Sequence, residues 1–217
     1  MTTPADPART GTRRQAWILV ALFFVPLIAA FVLYYGMDGW RPAGSTAKGD
    51  LIHPPRPLPQ NAVLTSPPTS PMTSAPVAKG AALDAKILHG KWTLVYVGGG
   101  ECDARCREAL TLMRQTRLAL NDDASRVQRL FLAMQPCCDQ AYLDAEHAGL
   151  TVASADDAAG QAVLAVFPRY GDKPVEQAGR IYIIDPLGNL MMSYSPQAEH
   201  KDLLEDLKKL LKLSHIG

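Results

Sequence analysis

The sequence predicts an α/β domain held behind a single N-terminal membrane-spanning helix. Three observations carry that prediction. Twenty consecutive uncharged residues, largely apolar, run from Ala16 to Tyr35. A buried-strand pattern at Trp92–Val97 passes through three glycines into a cysteine pair, Cys102 and Cys106, and then into a helical pattern. Near the C-terminus, two apolar runs flank a Pro-Leu-Gly-Asn turn and precede a leucine-rich amphipathic segment.

The apolar run is long enough to cross a bilayer. At about 1.5 Å per residue it covers the roughly 30 Å hydrocarbon core, and Pro26 is tolerated in such a helix. A cleaved signal peptide fits less well, because the run exceeds an ordinary h-region and no small-residue cleavage site follows it. Arg9, Arg13 and Arg14 precede the span, while Arg41 and Lys48 follow it. By the positive-inside rule the N-terminus is expected to be cytoplasmic and the C-terminal domain outside, which in a bacterium means an inner-membrane protein with a periplasmic domain. The expected boundaries are a tail at 1–15, the span at 16–35, a stalk at 36–82 and the α/β domain at 83–217. The stalk reading rests on nine of the chain's 17 prolines falling between Gly36 and Gly80, a composition that favours extended polyproline structure over a packed core.

The 217 residues carry a formal charge of +1. Nucleic acid is thereby disfavoured as a partner, since phosphate-binding domains usually carry a basic surplus. A secreted, oxidising setting suits the four cysteines as disulfide, dithiol or metal ligands.

Within the domain, Trp92–Val97 reads as a strand and Asp103–Leu120 as a helix with Leu110, Met113 and Leu118 among its apolar positions. Arg129–Met134 reads as a second buried strand. A short helix is expected over Tyr142–His147, a short strand over Leu150–Ala153, and a helix over Asp156–Phe167, opened by acidic residues that suit a helix N-terminus. Arg180–Asp185 and Leu190–Tyr194 form a hairpin around Pro186-Leu-Gly-Asn189. His200–Leu213 closes the chain as an amphipathic helix packed on the sheet. The order β-α-β, crossing helix, β-β-α is that of a thioredoxin-like fold, with the first two strands parallel and joined by a right-handed crossover.

That topology brings four sulfurs to one place. Cys102 and Cys106 follow the first strand, and Cys137 and Cys138 follow the second. Neighbouring strand ends lie about 5 Å apart, and the carboxyl edge of such a sheet is where functional groups gather. A helix N-terminus nearby lowers thiol pKa and exposes thiolate chemistry. Cysteines are often inert core residues, but the glycine turn before one pair and Pro136 before the other argue against that here. Residues i and i+4 of a regular helix hold Cβ atoms about 5–6 Å apart, whereas a disulfide needs roughly 3.5–4.5 Å. Cys102 must therefore sit in the turn, off the helix, for the pair to close. Cu(I) accepts two thiolates with less regard for that separation, while the vicinal pair does not suit tetrahedral zinc. Electron exchange and copper binding both stay open, with Cys137 and Cys138 as a second redox centre or additional copper ligands.

The run Gly90-Lys-Trp92 to Cys102-x3-Cys106, the Ile181-Tyr-Ile-Ile-Asp-Pro-Leu-Gly-Asn189 hairpin and the final helix resemble the Sco/SenC family. The resemblance covers residues 83–217. It implies a membrane-anchored thioredoxin-like factor that delivers Cu(I) to cytochrome c oxidase subunit II, or reduces the cysteines of its copper site, in company with other oxidase assembly factors. It further implies that Cys102 and Cys106 are the sulfur ligands or the catalytic thiols, the latter making the chain a thiol–disulfide oxidoreductase with Cys102 as the exposed attacking sulfur and Cys106 resolving. The family also supplies a histidine ligand just before the penultimate strand. Residues Pro174–Arg180 contain none, and Gln177 stands where it is expected, so either the metal site is rebuilt or exchange alone remains. His53 and His215 are expected in solvent, His89 at the far end of the first strand, His200 at the last helix, and His147 as an ordinary surface residue. A scaffold that keeps the fold without the chemistry is the alternative.

Overall fold

A computed structural model describes residues 8–36, 46–67, 82–83, 87–135, 137–214 and 216. Residues 1–7, much of the predicted stalk, Pro136 and His215 lie outside them. The chain divides into two units, residues 1–46 and 47–217.

The first unit contains one helix, α1 (Ala8–Gly36), with Pro26 inside it. Its Arg13–Leu33 stretch is long and apolar enough to cross a membrane. Described side chains from Trp17 to Tyr35 stand exposed.

The second unit is a six-stranded mixed sheet with helices on both faces. Its elements are β1 (Asp50–Pro57), β2 (Trp92–Gly99), α2 (Ala104–Leu118), β3 (Val127–Met134), α3 (Gln140–Glu146), β4 (Leu150–Ser154), α4 (Ala158–Leu164), β5 (Ile181–Ile184), β6 (Asn189–Tyr194) and α5 (His200–Leu213). Strand order is β1-β6-β5-β2-β3-β4. The β2–β3 and β3–β4 pairs are parallel, and β5 runs antiparallel to both β2 and β6. This is the thioredoxin-like α/β arrangement expected from the element order. The helix expected over Asp156–Phe167 is shorter, because Asp157 is its N-cap, accepting from the Gly160 amide, and the last turn ends at Leu164.

Side-chain alternation divides the core into two layers. Leu94, Tyr96, Phe131, Ile183 and Met192 face α2 and α5, where Leu110, Met113, Leu203 and Leu207 cover them. Val95, Val97, Leu130, Leu132, Tyr182 and Ile184 face the opposite side. There α4 is only 7 residues long, too short to cover the sheet alone.

The remaining cover comes from the segment expected to be a free stalk. Ile52, Leu58 and Leu64 are buried in the second layer beside Val163, Leu164 and Phe167. β1 pairs antiparallel with β6, the Leu83 amide donates to Leu64 O, and the Ser154 amide donates to Thr65 O. The stalk reading is thus corrected for residues 47–66: its prolines permit extended structure, and its few apolar residues supply a missing face. Asp206, 2% exposed, clasps the start of this segment. Its carboxylate accepts from the Lys48 amide at 2.6 Å, the Gly49 amide at 3.0 Å and the Tyr194 hydroxyl at 3.0 Å. Burial, with the neighbouring Asp206 carboxylate, pushes the Tyr194 phenol well above its ordinary pKa.

Leu64→Ala should therefore lower the unfolding free energy of the detergent-solubilised chain by about 2–5 kcal/mol, as a core truncation does. A free-stalk residue would leave the denaturant midpoint where it is.

Candidate functional site

The first cysteine pair is built by the turn between β2 and α2. The Gly100 amide donates to Met134 O at 2.9 Å, and the Cys102 amide donates to Gly99 O at 3.1 Å. Cys102 takes a left-handed backbone conformation with φ +50°, which is uncommon for a residue with a Cβ. Asp103 caps α2, its Oδ1 accepting from the Cys106 amide at 2.9 Å. The left-handed residue swings Cys102 off the helical path, and its Cα comes to 5.0 Å from that of Cys106. The two are joined as a disulfide. The geometric requirement read from the i,i+4 spacing is met by this turn.

Both residues are buried, at 2% exposure each. The expectation of an exposed Cys102 is corrected: both residues lie in the buried apolar layer that includes Tyr96, Ala109 and Leu110. Cys102 nevertheless lines a surface hollow with Tyr96, Glu101, Asp103, Arg105 and Gln177, whereas Cys106 does not. Gln177 therefore borders the same hollow as Cys102, the residue it was expected to accompany. Burial pushes the Tyr96 phenol up to about 12, with the Asp103 carboxylate adding to the effect and Arg105 opposing it. Tyr96 thus stays a neutral wall of the hollow at physiological pH.

Cys137 and Cys138 form a second disulfide on the loop after β3. The β2–β3 ladder runs in register to Gly99↔Met134, so both cysteine loops leave adjacent strand ends. The Asp139 amide donates to Gly100 O at 3.3 Å, joining the loops directly. Both cysteine pairs pack in the apolar layer beneath α2. The sequence-predicted sulfurs are all brought to one edge of the sheet.

One residue ties the two loops together by its side chain. Arg107, in the first turn of α2, donates from Nε to Cys102 O at 3.2 Å and from its guanidinium to Asp139 Oδ2 at 2.9 Å. The guanidinium lies 4.2 Å from the centroid of the Tyr142 ring. Asp139 in turn caps α3 by accepting from the Tyr142 amide. The Arg107–Asp139 pair is partly exposed, so its ionic strength is worth about 0–1 kcal/mol. Its significance is positional: it ties the loop that carries Cys102 to the loop that follows Cys138. Arg107 is one of several charges around the first turn of α2, and sequence patterning does not single it out. Its partners lie 32 positions away for Asp139, and no periodicity links them.

His147 is not a surface residue, contrary to expectation. It is 2% exposed, with Nε2 2.8 Å from the Tyr142 hydroxyl and Nδ1 buried without a partner. Burial lowers its pKa below the ordinary value near 6.5, with Arg114 and Arg129 adding to the shift and Glu146 opposing it. It therefore supports Tyr142 as a neutral ring. Described residues contain no group of three or more His, Cys, Asp or Glu side chains able to hold a metal ion.

A family model described as "transmembrane-like, thioredoxin-like, C-terminal domain" matches residues 92–214. No curated protein matches the chain. Yeast Sco1 with copper bound is similar in structure, with a TM-score of 0.51 at 19% identity over 62% of this chain and 87% of that one. Arabidopsis thaliana ScoI with copper bound gives a TM-score of 0.51 at 18% identity, over 62% of this chain and 92% of that one. An Aquifex aeolicus putative electron transfer protein gives 0.52 at 11% identity, over 73% and 96%. The likeness to Sco proteins anticipated from the sequence is present in the fold.

A depressed histidine pKa has a definite sign. The unfolded chain takes up a proton near pH 6.5 while folded His147 stays neutral, so stability is full above that pH and falls as pH drops below it. Denaturant midpoints measured from pH 7.5 to 5 should fall more steeply for the native chain than for His147→Gln, by at most about 1.4 kcal/mol per pH unit.

Proposed function

The chain belongs to the transmembrane-like, thioredoxin-like C-terminal domain family, and from that premise we propose that it is a membrane-anchored thiol–disulfide exchange protein acting in cytochrome oxidase maturation. The observation that carries this reading is the Cys102–Cys106 disulfide at the strand-to-helix turn, with Cys102 among the residues lining a hollow. α1 is the proposed anchor, with its N-terminus in the cytoplasm and the sheet domain in the periplasm. The proposed client is a cysteine pair of the kind found at the oxidase subunit II copper site, as the Sco/SenC resemblance implies.

In the reduced protein, the Cys102 thiolate attacks a client disulfide sulfur from the hollow side. One client sulfur leaves and a mixed disulfide forms. Cys106 then attacks Cys102, restores the intrachain disulfide and releases the client as a dithiol. The N-terminus of α2 favours the thiolate form. Buried sulfurs restrict this exchange to clients that fit the hollow.

Copper delivery is the second reading, supported by the copper-bound Sco structures of the same fold. Its cargo would rest on the Cys102 and Cys106 sulfurs. The donor set for a third contact fits poorly: Gln177 offers an amide oxygen, a hard donor, where Cu(I) prefers sulfur or imidazole.

Equilibration of the full chain in thiol redox buffers should show Cys102–Cys106 titrating as a two-electron couple. Cys102→Ser should abolish reduction of a disulfide-bonded subunit II fragment. A Cu(I) titration against a competing chelator should show no stoichiometric complex. One tightly held Cu(I) per chain, lost in Cys102→Ser/Cys106→Ser, would replace exchange with copper delivery.

A further inference from the structure

We propose that Cys137–Cys138 is a second redox centre that receives electrons from an external protein dithiol and passes them, within the chain, to Cys102–Cys106. The proposal rests on the reading of Cys102–Cys106 as the exchange pair.

Four observations carry it. The two pairs leave neighbouring strand ends, Gly99 and Met134, and their loops are hydrogen-bonded through Gly100, Met134 and Asp139. Both pack against one apolar cluster. Their accessibilities differ: Cys102 and Cys106 are 2% exposed, while Cys137 and Cys138 are half-buried at the surface. An external dithiol of ordinary bulk therefore meets the second pair more readily than the first. Arg107 contacts both loops at once, through Cys102 O and the Asp139 carboxylate, and holds them together.

Stability offers no competing purpose for the vicinal pair. A disulfide stabilises chiefly by closing a long loop in the unfolded chain. Cys137 and Cys138 are adjacent in sequence, so their bond restrains almost nothing.

The exchange balances in electrons and atoms. A thiolate of the external dithiol attacks the Cys137–Cys138 bond, and the resulting mixed disulfide is resolved by the donor's second thiol. The donor leaves as a disulfide and the chain holds two thiols at Cys137 and Cys138. One of these, as thiolate, attacks the Cys102–Cys106 bond. That bond breaks, a cross-pair disulfide forms, and the departing sulfur takes up the proton that the attacker lost. The second vicinal thiol then attacks its neighbour's sulfur, re-forming Cys137–Cys138 and releasing the last sulfur as a thiol. Two electrons and two protons have moved from the donor to Cys102 and Cys106.

The test uses the full oxidised chain in detergent, reduced thioredoxin as the dithiol probe, acid quenching at intervals, alkylation and peptide mass spectrometry. Cys137 and Cys138 should become alkylatable before Cys102 and Cys106, with a transient disulfide linking the two pairs. In Cys137→Ser/Cys138→Ser, reduction of Cys102–Cys106 by thioredoxin should slow by about tenfold or more, as expected when access limits exchange, with its midpoint potential unchanged. Reduction of Cys102–Cys106 at the native rate in that variant, or ahead of Cys137–Cys138 in the native chain, overturns the relay. Where circular dichroism shows the variant unfolded, the native time course decides alone. A Cys102–Cys106 pair that reduces directly sinks the relay and leaves the proposed function standing. A pair that cannot be reduced at all sinks both.

Discussion

Eight consecutive residue pairs join β2 to β3, from Trp92↔Val127 to Gly99↔Met134, and this parallel ladder governs the chemistry at the far end of the sheet. Because the strands run in the same direction and in register, both end at the same level. Their loops must then turn in the same space. Gly98, Gly99 and Gly100 free the first loop of side chains, and Gln135 to Asp139 form the second. A slip of one residue would reverse every side chain on β2, removing Leu94 and Tyr96 from beneath α2. The burial of alternate faces in two separate layers therefore secures the register, and the register secures the sulfurs.

Two competing demands meet at Cys102. The i,i+4 spacing is too wide for a disulfide on a regular helix, yet Cys106 must sit in the first turn of α2 to feel its N-terminus. The left-handed φ of +50° at Cys102 answers both, because it moves one cysteine out of the helix and leaves the other in place. Such a conformation costs of order 1–3 kcal/mol. Asp103 offsets part of that through its cap on the Cys106 amide, since an N-cap contributes about 0.5–2 kcal/mol.

Strand and helix identities in the domain were legible because their signals are local. Trp92–Val97 and Arg129–Met134 are apolar runs bounded by polar turns, and His200–Leu213 has leucines at helical spacing. Even the edge shared by the four cysteines followed from element order. The role of residues 47–66 was hidden: Ile52, Leu58 and Leu64 are too widely spaced among prolines to show a period, and their burial depends on α4 being short. Arg107 reaches Asp139 and the Tyr142 ring only through tertiary packing, so no sequence period announces those contacts. The burial of His147 could have been suspected only from its place beside the Leu150–Ser154 strand.

β1 is the outermost strand on its side of the sheet, and it carries Pro54, Pro55 and Pro57 among its eight residues. A proline has no backbone N–H, so this margin presents an interrupted row of donors. Exposed strand margins otherwise recruit strands from neighbouring chains. The prolines that disguise this segment as a spacer thus also make it a poor template for another strand.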